Sequence, residues 1–137
     1  MRVVIDTNIL LQAIGHNSPF RPIWEAFLEG SLELLITPGI LLEYEEIIAA
    51  RTSQVVAANI VSLICEAANV HRIDVFYAWN AITADPDDNK FFDAAVAGNA
   101  DCIVTNDAHF RHVTDLEFPR MAIMSGQDLL AIVNMGL

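Results

Sequence analysis

Four carboxylates lie where apolar segments of this chain end or begin: Asp6, Glu43, Asp88 and Asp107. Asp6 closes the run Val3-Val4-Ile5, and Asp107 follows Cys102-Ile103-Val104-Thr105-Asn106. Glu43 and Asp88 fall early in two segments of helical spacing, on or beside faces that should be buried. An ionised carboxylate beside a core is costly unless something positive compensates it. Hard divalent cations, Mg²⁺ or Mn²⁺, are the natural compensation for an all-oxygen cluster. The chemistry such a cluster implies is metal-dependent hydrolysis of a phosphodiester.

The elements that must position these groups alternate between strand and helix. Val3 to Asp6, Leu32 to Ile36, Val70 to Val75, Asp101 to Thr105 and Arg120 to Met124 read as short buried strands. Thr7-Asn8 is expected to cap a helix through Ile14, stopped by Gly15. Ser18-Pro19 opens a second helix with Trp24, Phe27 and Leu28 inward, ending at Gly30. Thr37-Pro38 starts a third, with Thr as N-cap and Pro in the first turn, running to about Arg51. A fourth spans about Ser53 to Ala68. Phe76 to Ala84 reads as loop, Asp85-Pro86 starts the next helix, and Ser125 caps a closing one to about Asn134. This alternation predicts a single α/β domain, residues 1–137, with a mainly parallel sheet.

In such a fold, ligands bind at the carboxyl ends of the strands, which is where Asp6 and Asp107 fall. Each could equally be a turn or cap residue. On the third helix, a stripe of Ile40, Tyr44, Ile47 and Arg51 is expected to face inward, with Glu43 at its border and Glu45 and Glu46 in solvent. The alternative is that all three glutamates are solvated. Asp88 heads a stripe of Phe91, Phe92 and Ala95, with Asp87 to the side and Asp93 on the opposite, wet face. Helix-dipole acids explain Asp85 and Asp87 well and Asp88 poorly.

Composition bounds the reading. A hydrophobic fraction of 54% fits strands covered on both faces, or a large apolar partner surface. No apolar run approaches the roughly 18–20 residues that cross a bilayer. The apolar stretch at Met1 to Ile5 is too short for a signal peptide, and a cytoplasmic protein is expected. Cys65 and Cys102 sit in apolar contexts and read as buried free thiols. The net charge of −11, with seven Lys and Arg, is awkward for gripping phosphates. Bound cations could neutralise the site locally, or the partner is a basic protein.

The chain resembles the PIN domain family, the nuclease fold of many toxins of toxin–antitoxin systems, including VapC-like ribonucleases. The matching residues are Val4-Ile5-Asp6-Thr7-Asn8, the stretch Thr37 to Glu43, Asp85-Pro86-Asp87-Asp88-Asn89, and Ile103-Val104-Thr105-Asn106-Asp107, in the family's order. The resemblance implies a three-layer α/β/α sandwich with about five strands. It also implies an acidic quartet of Asp6, Glu43, Asp88 and Asp107, with Asn8 and Thr105 supporting it by hydrogen bonds. Asp6 and Asp88 would be shared ligands of Mg²⁺ or Mn²⁺, and Glu43 and Asp107 would complete the shell directly or through water. RNA would be the substrate, a cognate antitoxin the partner, and a homodimer the assembly. The apolar helix from Ser53, with Trp24 and Trp79, is either core or part of those surfaces. Asn106 departs from the family, where Gly is frequent.

Other constellations carry less. His109-x-x-His112 lacks a third soft ligand nearby, and His16 and His71 have no partners in sequence. Lys90 and Arg111 flank the acidic motifs as exposed charges or phosphate contacts. Two further readings are a catalytically silent PIN-like binding module and a Mg²⁺-dependent phosphohydrolase with Asp6 as nucleophile. The latter lacks the usual second Asp, because position 8 is Asn.

Overall fold

Consecutive apolar residues in a strand point to opposite faces, so a strand buried throughout must be covered on both. Val3, Val4 and Ile5, Leu34 to Ile36, and Cys102 to Val104 are all buried in the computed structural model, which describes residues 1–137. They belong to β1 (Arg2–Ile5), β2 (Glu33–Ile36) and β4 (Cys102–Val104), joined by β3 (Val70–Arg72) and β5 (Ile123–Met124). The five strands form one parallel sheet in the order β3-β2-β1-β4-β5. Helices α1 (Thr7–Ala13), α2 (Arg21–Leu28), α3 (Pro38–Arg51), α4 (Gln54–Glu66), α5 (Asn89–Ala97) and α6 (Gly126–Asn134) cover it, giving an α/β/α sandwich. No helix is long and apolar enough to cross a membrane.

The strand order carries the functional consequence. The chain builds outward from β1 through β2 to β3, then returns to place β4 on the other side of β1. The reversal opens a crevice at the carboxyl ends of β1 and β4, the topological switch point where ligands of open parallel sheets bind. Register fixes it: Ile5 pairs with Val104, so Asp6 and Thr105 leave the sheet side by side.

Several expectations are corrected. Leu28 is 49% exposed, and Ile23, Trp24, Ala26 and Phe27 carry the buried face of α2, which begins at Arg21 rather than Ser18. On α3 the buried stripe is Ile40, Tyr44 and Ile48; Arg51 lies in solvent and Ile47 at the margin. Steps of four residues keep one face, and a step of three to Ile47 drifts off it. β3 ends at Arg72, and β4 and β5 are also shorter than the apolar runs that contain them. Cys65 is only half-buried, whereas Cys102 is buried, its thiol pushed up to about 11 by that burial and then by Asp101.

Asp93 is also buried rather than wet. The segment 76–84 folds over α5, and Trp79 N donates to Asp93 Oδ1 at 3.1 Å. Asn89 clamps the same segment, its amide accepting from Ile82 N at 2.8 Å and donating to Ile82 O at 3.0 Å. α5 ends at Gly98, where a Cβ would meet Leu35 Cδ1 at 2.7 Å and Ile73 Cδ1 at 2.9 Å. Gly98 thus lets the helix end lie close on β2.

Candidate metal centre at the switch point

Asp6 occupies the N-cap position of α1 but makes no capping bond with its side chain. It turns instead toward β4, where Thr105 Oγ1 donates to Asp6 Oδ2 at 2.7 Å. The same hydroxyl accepts from Asp107 N at 3.0 Å, which fixes the turn carrying Asp107. Asp107 then caps a 3₁₀ segment, Ala108–Asp115, by accepting from His109 N at 2.9 Å. Asn106 Oδ1 accepts from Gly126 N at 3.0 Å, so the residue that departs from the family's frequent Gly ties this loop to α6.

Glu43 is delivered by α3. Thr37 Oγ1 accepts from Ile40 N at 3.2 Å, and Tyr44 anchors the helix by donating its hydroxyl to Ile5 O at 2.5 Å. Tyr44 is fully buried beside Asp6, and burial, then Asp6 and Glu43, hold its phenol well above the ordinary tyrosine value. Both Glu43 oxygens have partners: Thr7 Oγ1 donates to Oε2, and Lys90 Nζ lies 2.7 Å from Oε1. Lys90 is therefore a compensating charge inside the acidic site, not a free surface cation. The supporting hydrogen bond expected from Asn8 comes instead from the Thr7 hydroxyl; Asn8 itself is exposed in the cleft.

Asp88 stands at the junction of a 3₁₀ turn, Pro86–Asp88, with α5. Asp85 caps that turn, accepting from Asp87 N at 3.2 Å. Asp88 Oδ2 is shut off from solvent and accepts no hydrogen bond. The imidazole Nδ1 of His109 lies 3.6 Å away, too far for a hydrogen bond. Burial, followed by Asp85, Asp107 and Asp6 and opposed by the neighbouring His109 imidazole, pushes the Asp88 carboxyl up to about 6. Asp6 is raised mainly by burial, opposed by the Thr105 hydrogen bond and reinforced by Asp107 and Glu43.

The four acids predicted from sequence thus act on one another: Asp6 feels Glu43 and Asp107, and Asp88 feels Asp107 and Asp6. The donor set fits a hard divalent cation. One buried carboxylate oxygen lacks any partner, other carboxylates act on it electrostatically, and the charge of the cluster is only partly offset by Lys90. Sequence reasoning read Asp85 as a cap and His109 as half of a weak histidine pair, and did not join them to the acids; their ligand atoms lie within 4.8 Å of each other and of Asp88. Only the fold brings these segments, 24 or so residues apart, together. A cleft of about 400 Å³ opens beside the acids, lined by Asp6, Asn8, Gln12, Arg51, Asn106 and Asp107.

Residues 2–109 match the profile of the PIN domain family. The chain belongs to that family. No curated protein sequence matches it. Among solved structures, this PIN domain is similar to the crystal structure of VapBC2 from Rickettsia felis bound to a DNA fragment from their promoter. The TM-score is 0.61 at 18% identity, covering 91% of this chain and 98% of that one. A likeness at that identity is one of fold.

Proposed function

We propose that this PIN domain is a divalent-metal-dependent endoribonuclease and the toxin of a toxin–antitoxin pair, working in the cytoplasm. The observation that carries the reading is Asp88 Oδ2, buried and unpartnered at the switch point, with the charges of Asp107 and Asp6 acting on its carboxyl. Asp6, Asp88 and Asp107 would hold Mg²⁺ or Mn²⁺, with Glu43 reaching the ion through water while Lys90 and Thr7 retain its oxygens. The bound cation would activate water and stabilise the leaving oxygen of a phosphodiester.

The chain's own residues do the rest. Thr105 holds Asp6 and the Asp107 turn in one geometry. Arg51 lines the cleft beside Asp6 and Asp107 and is placed to meet a backbone phosphate. Exposed Leu42 on α3 and Val55 and Leu63 on α4 supply an apolar surface for an antitoxin or a second copy. A net charge of −11 suits a basic partner segment. The VapBC complex among the similar structures supports a partner of that kind.

The acidity also favours a second reading, a PIN-like module that binds without cutting. Incubation of purified protein with a structured RNA pool and with single-stranded DNA decides between them. Mn²⁺- or Mg²⁺-dependent RNA cutting, abolished by EDTA and by Asp88→Asn, is expected. Intact RNA with folded, partner-free protein would favour the binding module.

A further inference from the structure

The fold separates the two histidines of His109-x-x-His112. His112 Nε2 lies 2.7 Å from Ala81 O, on the segment that covers α5. His109 turns the other way, and its Nδ1 stands 3.3 Å from Asp107 Oδ1 and 3.6 Å from Asp88 Oδ2. We propose that His109 Nδ1 is a direct ligand of the cation held by Asp88 and Asp107, giving a mixed nitrogen–oxygen centre that favours Mn²⁺ over Mg²⁺. The inference rests on the metal-centre reading above and names a ligand and a selectivity that reading does not contain.

Three observations carry it. Neighbouring ligands on an octahedral ion with bonds of about 2.1 Å lie roughly 3.0 Å apart; Nδ1 stands 3.3 Å from Asp107 Oδ1 and 3.6 Å from Asp88 Oδ2, within reach of that spacing after a small side-chain shift. Asp88 Oδ2 is buried without a hydrogen bond, although a ring nitrogen is its close neighbour. That spacing is too wide for a hydrogen bond and suits two atoms with an ion between them. Finally, His109 N donates to Asp107 Oδ1 at 2.9 Å, which locks imidazole and carboxylate onto one turn. The ring remains 44% exposed, so it closes the centre on the solvent side without burying it. Imidazole suits Mn²⁺ and later divalent metals better than Mg²⁺, which prefers oxygen and water.

The test uses full-length protein loaded with Mn²⁺ and read by pulsed electron paramagnetic resonance. Wild type is expected to show ¹⁴N coupling to the bound ion. His109→Ala, and His109→Asn as a variant of similar size, should lose the coupling while retaining Mn²⁺. Both should weaken Mn²⁺ affinity by about tenfold or more and Mg²⁺ affinity by less, narrowing the preference. Mn²⁺ that binds in an Asp88-dependent way without ¹⁴N coupling would overturn the inference, leaving His109 an ion-pair partner of an intact centre. No Mn²⁺ binding in wild type would overturn both the inference and the metal-centre reading.

Discussion

Thr105 and Asp6, distant in sequence, are joined by a 2.7 Å hydrogen bond from Thr105 Oγ1 to Asp6 Oδ2. The bond exists because β1 and β4 are parallel neighbours in a register that pairs Ile5 with Val104. Thr105→Val keeps the shape and removes the donor, leaving Asp6 Oδ2 buried without it. A loss of about 1–3 kcal/mol is expected in urea denaturation of metal-free protein. Turnover should fall by roughly tenfold or more, since the hydroxyl also aims Asp107. Thr105→Ser should restore most of both; unchanged stability in Thr105→Val would contradict the role assigned to the bond.

Arg51 makes no ion pair in the structure and faces the acidic cleft from the last turn of α3. Arg51→Ala should therefore raise KM for RNA and leave kcat nearly unchanged. It should also flatten the dependence of log affinity on log salt by about 0.7, the value of one phosphate contact to a single strand. Stability should stay within about 0.5 kcal/mol, as for most surface substitutions. An unchanged salt slope would place the RNA backbone elsewhere.

Asp93 gives a pH signature away from the acidic cluster. Burial raises its carboxyl, and the hydrogen bond from Trp79 N pulls it partly back. A raised value means the folded state holds the proton more tightly than the unfolded chain. The stability this contributes is full below the ordinary aspartate value and is lost as pH rises through the folded value. Asp93→Asn keeps an acceptor for Trp79 N without the charge. It should be more stable than wild type at pH 7, by under about 1 kcal/mol after solvent screening. That advantage should shrink toward pH 4. A variant less stable than wild type at pH 7 would show that the charge itself is needed.

Mutual repulsion among Asp6, Asp88, Asp107 and Glu43 predicts that divalent cations stabilise the fold. At a concentration of 100 Kd the gain is about 2.7 kcal/mol, read as a rise in Tm that EDTA reverses. Asp88→Asn should start with a higher Tm in EDTA, because it removes a buried charge, and should lose most of the rise. An equal rise in both proteins would mean that the ions bind elsewhere.

The strands, and the strand-end position of Asp6, were legible because their signals are local. Val3 to Ile5 and Cys102 to Val104 are apolar on both faces, as a covered parallel strand must be; the first ends directly at Asp6, and Asp107 follows the second after Thr105-Asn106. The errors came from contacts that sequence does not encode. A helical wheel assigns Asp93 to solvent because it assumes one buried face; the aperiodic segment 76–84 covers the other. Asp85 and His109 meet Asp88 only through the fold. The 3₁₀ segment did carry a signal: Phe110, Val113 and Leu116 recur every three residues, and the first two are fully buried.

Anomalous diffraction from Mn²⁺-soaked crystals tests the centre most directly. A peak within bonding distance of Asp6, Asp88 and Asp107, lost in Asp88→Asn, is expected. Density confined to other surfaces, with the four carboxylates bare at saturating Mn²⁺, would contradict a metal centre at the switch point.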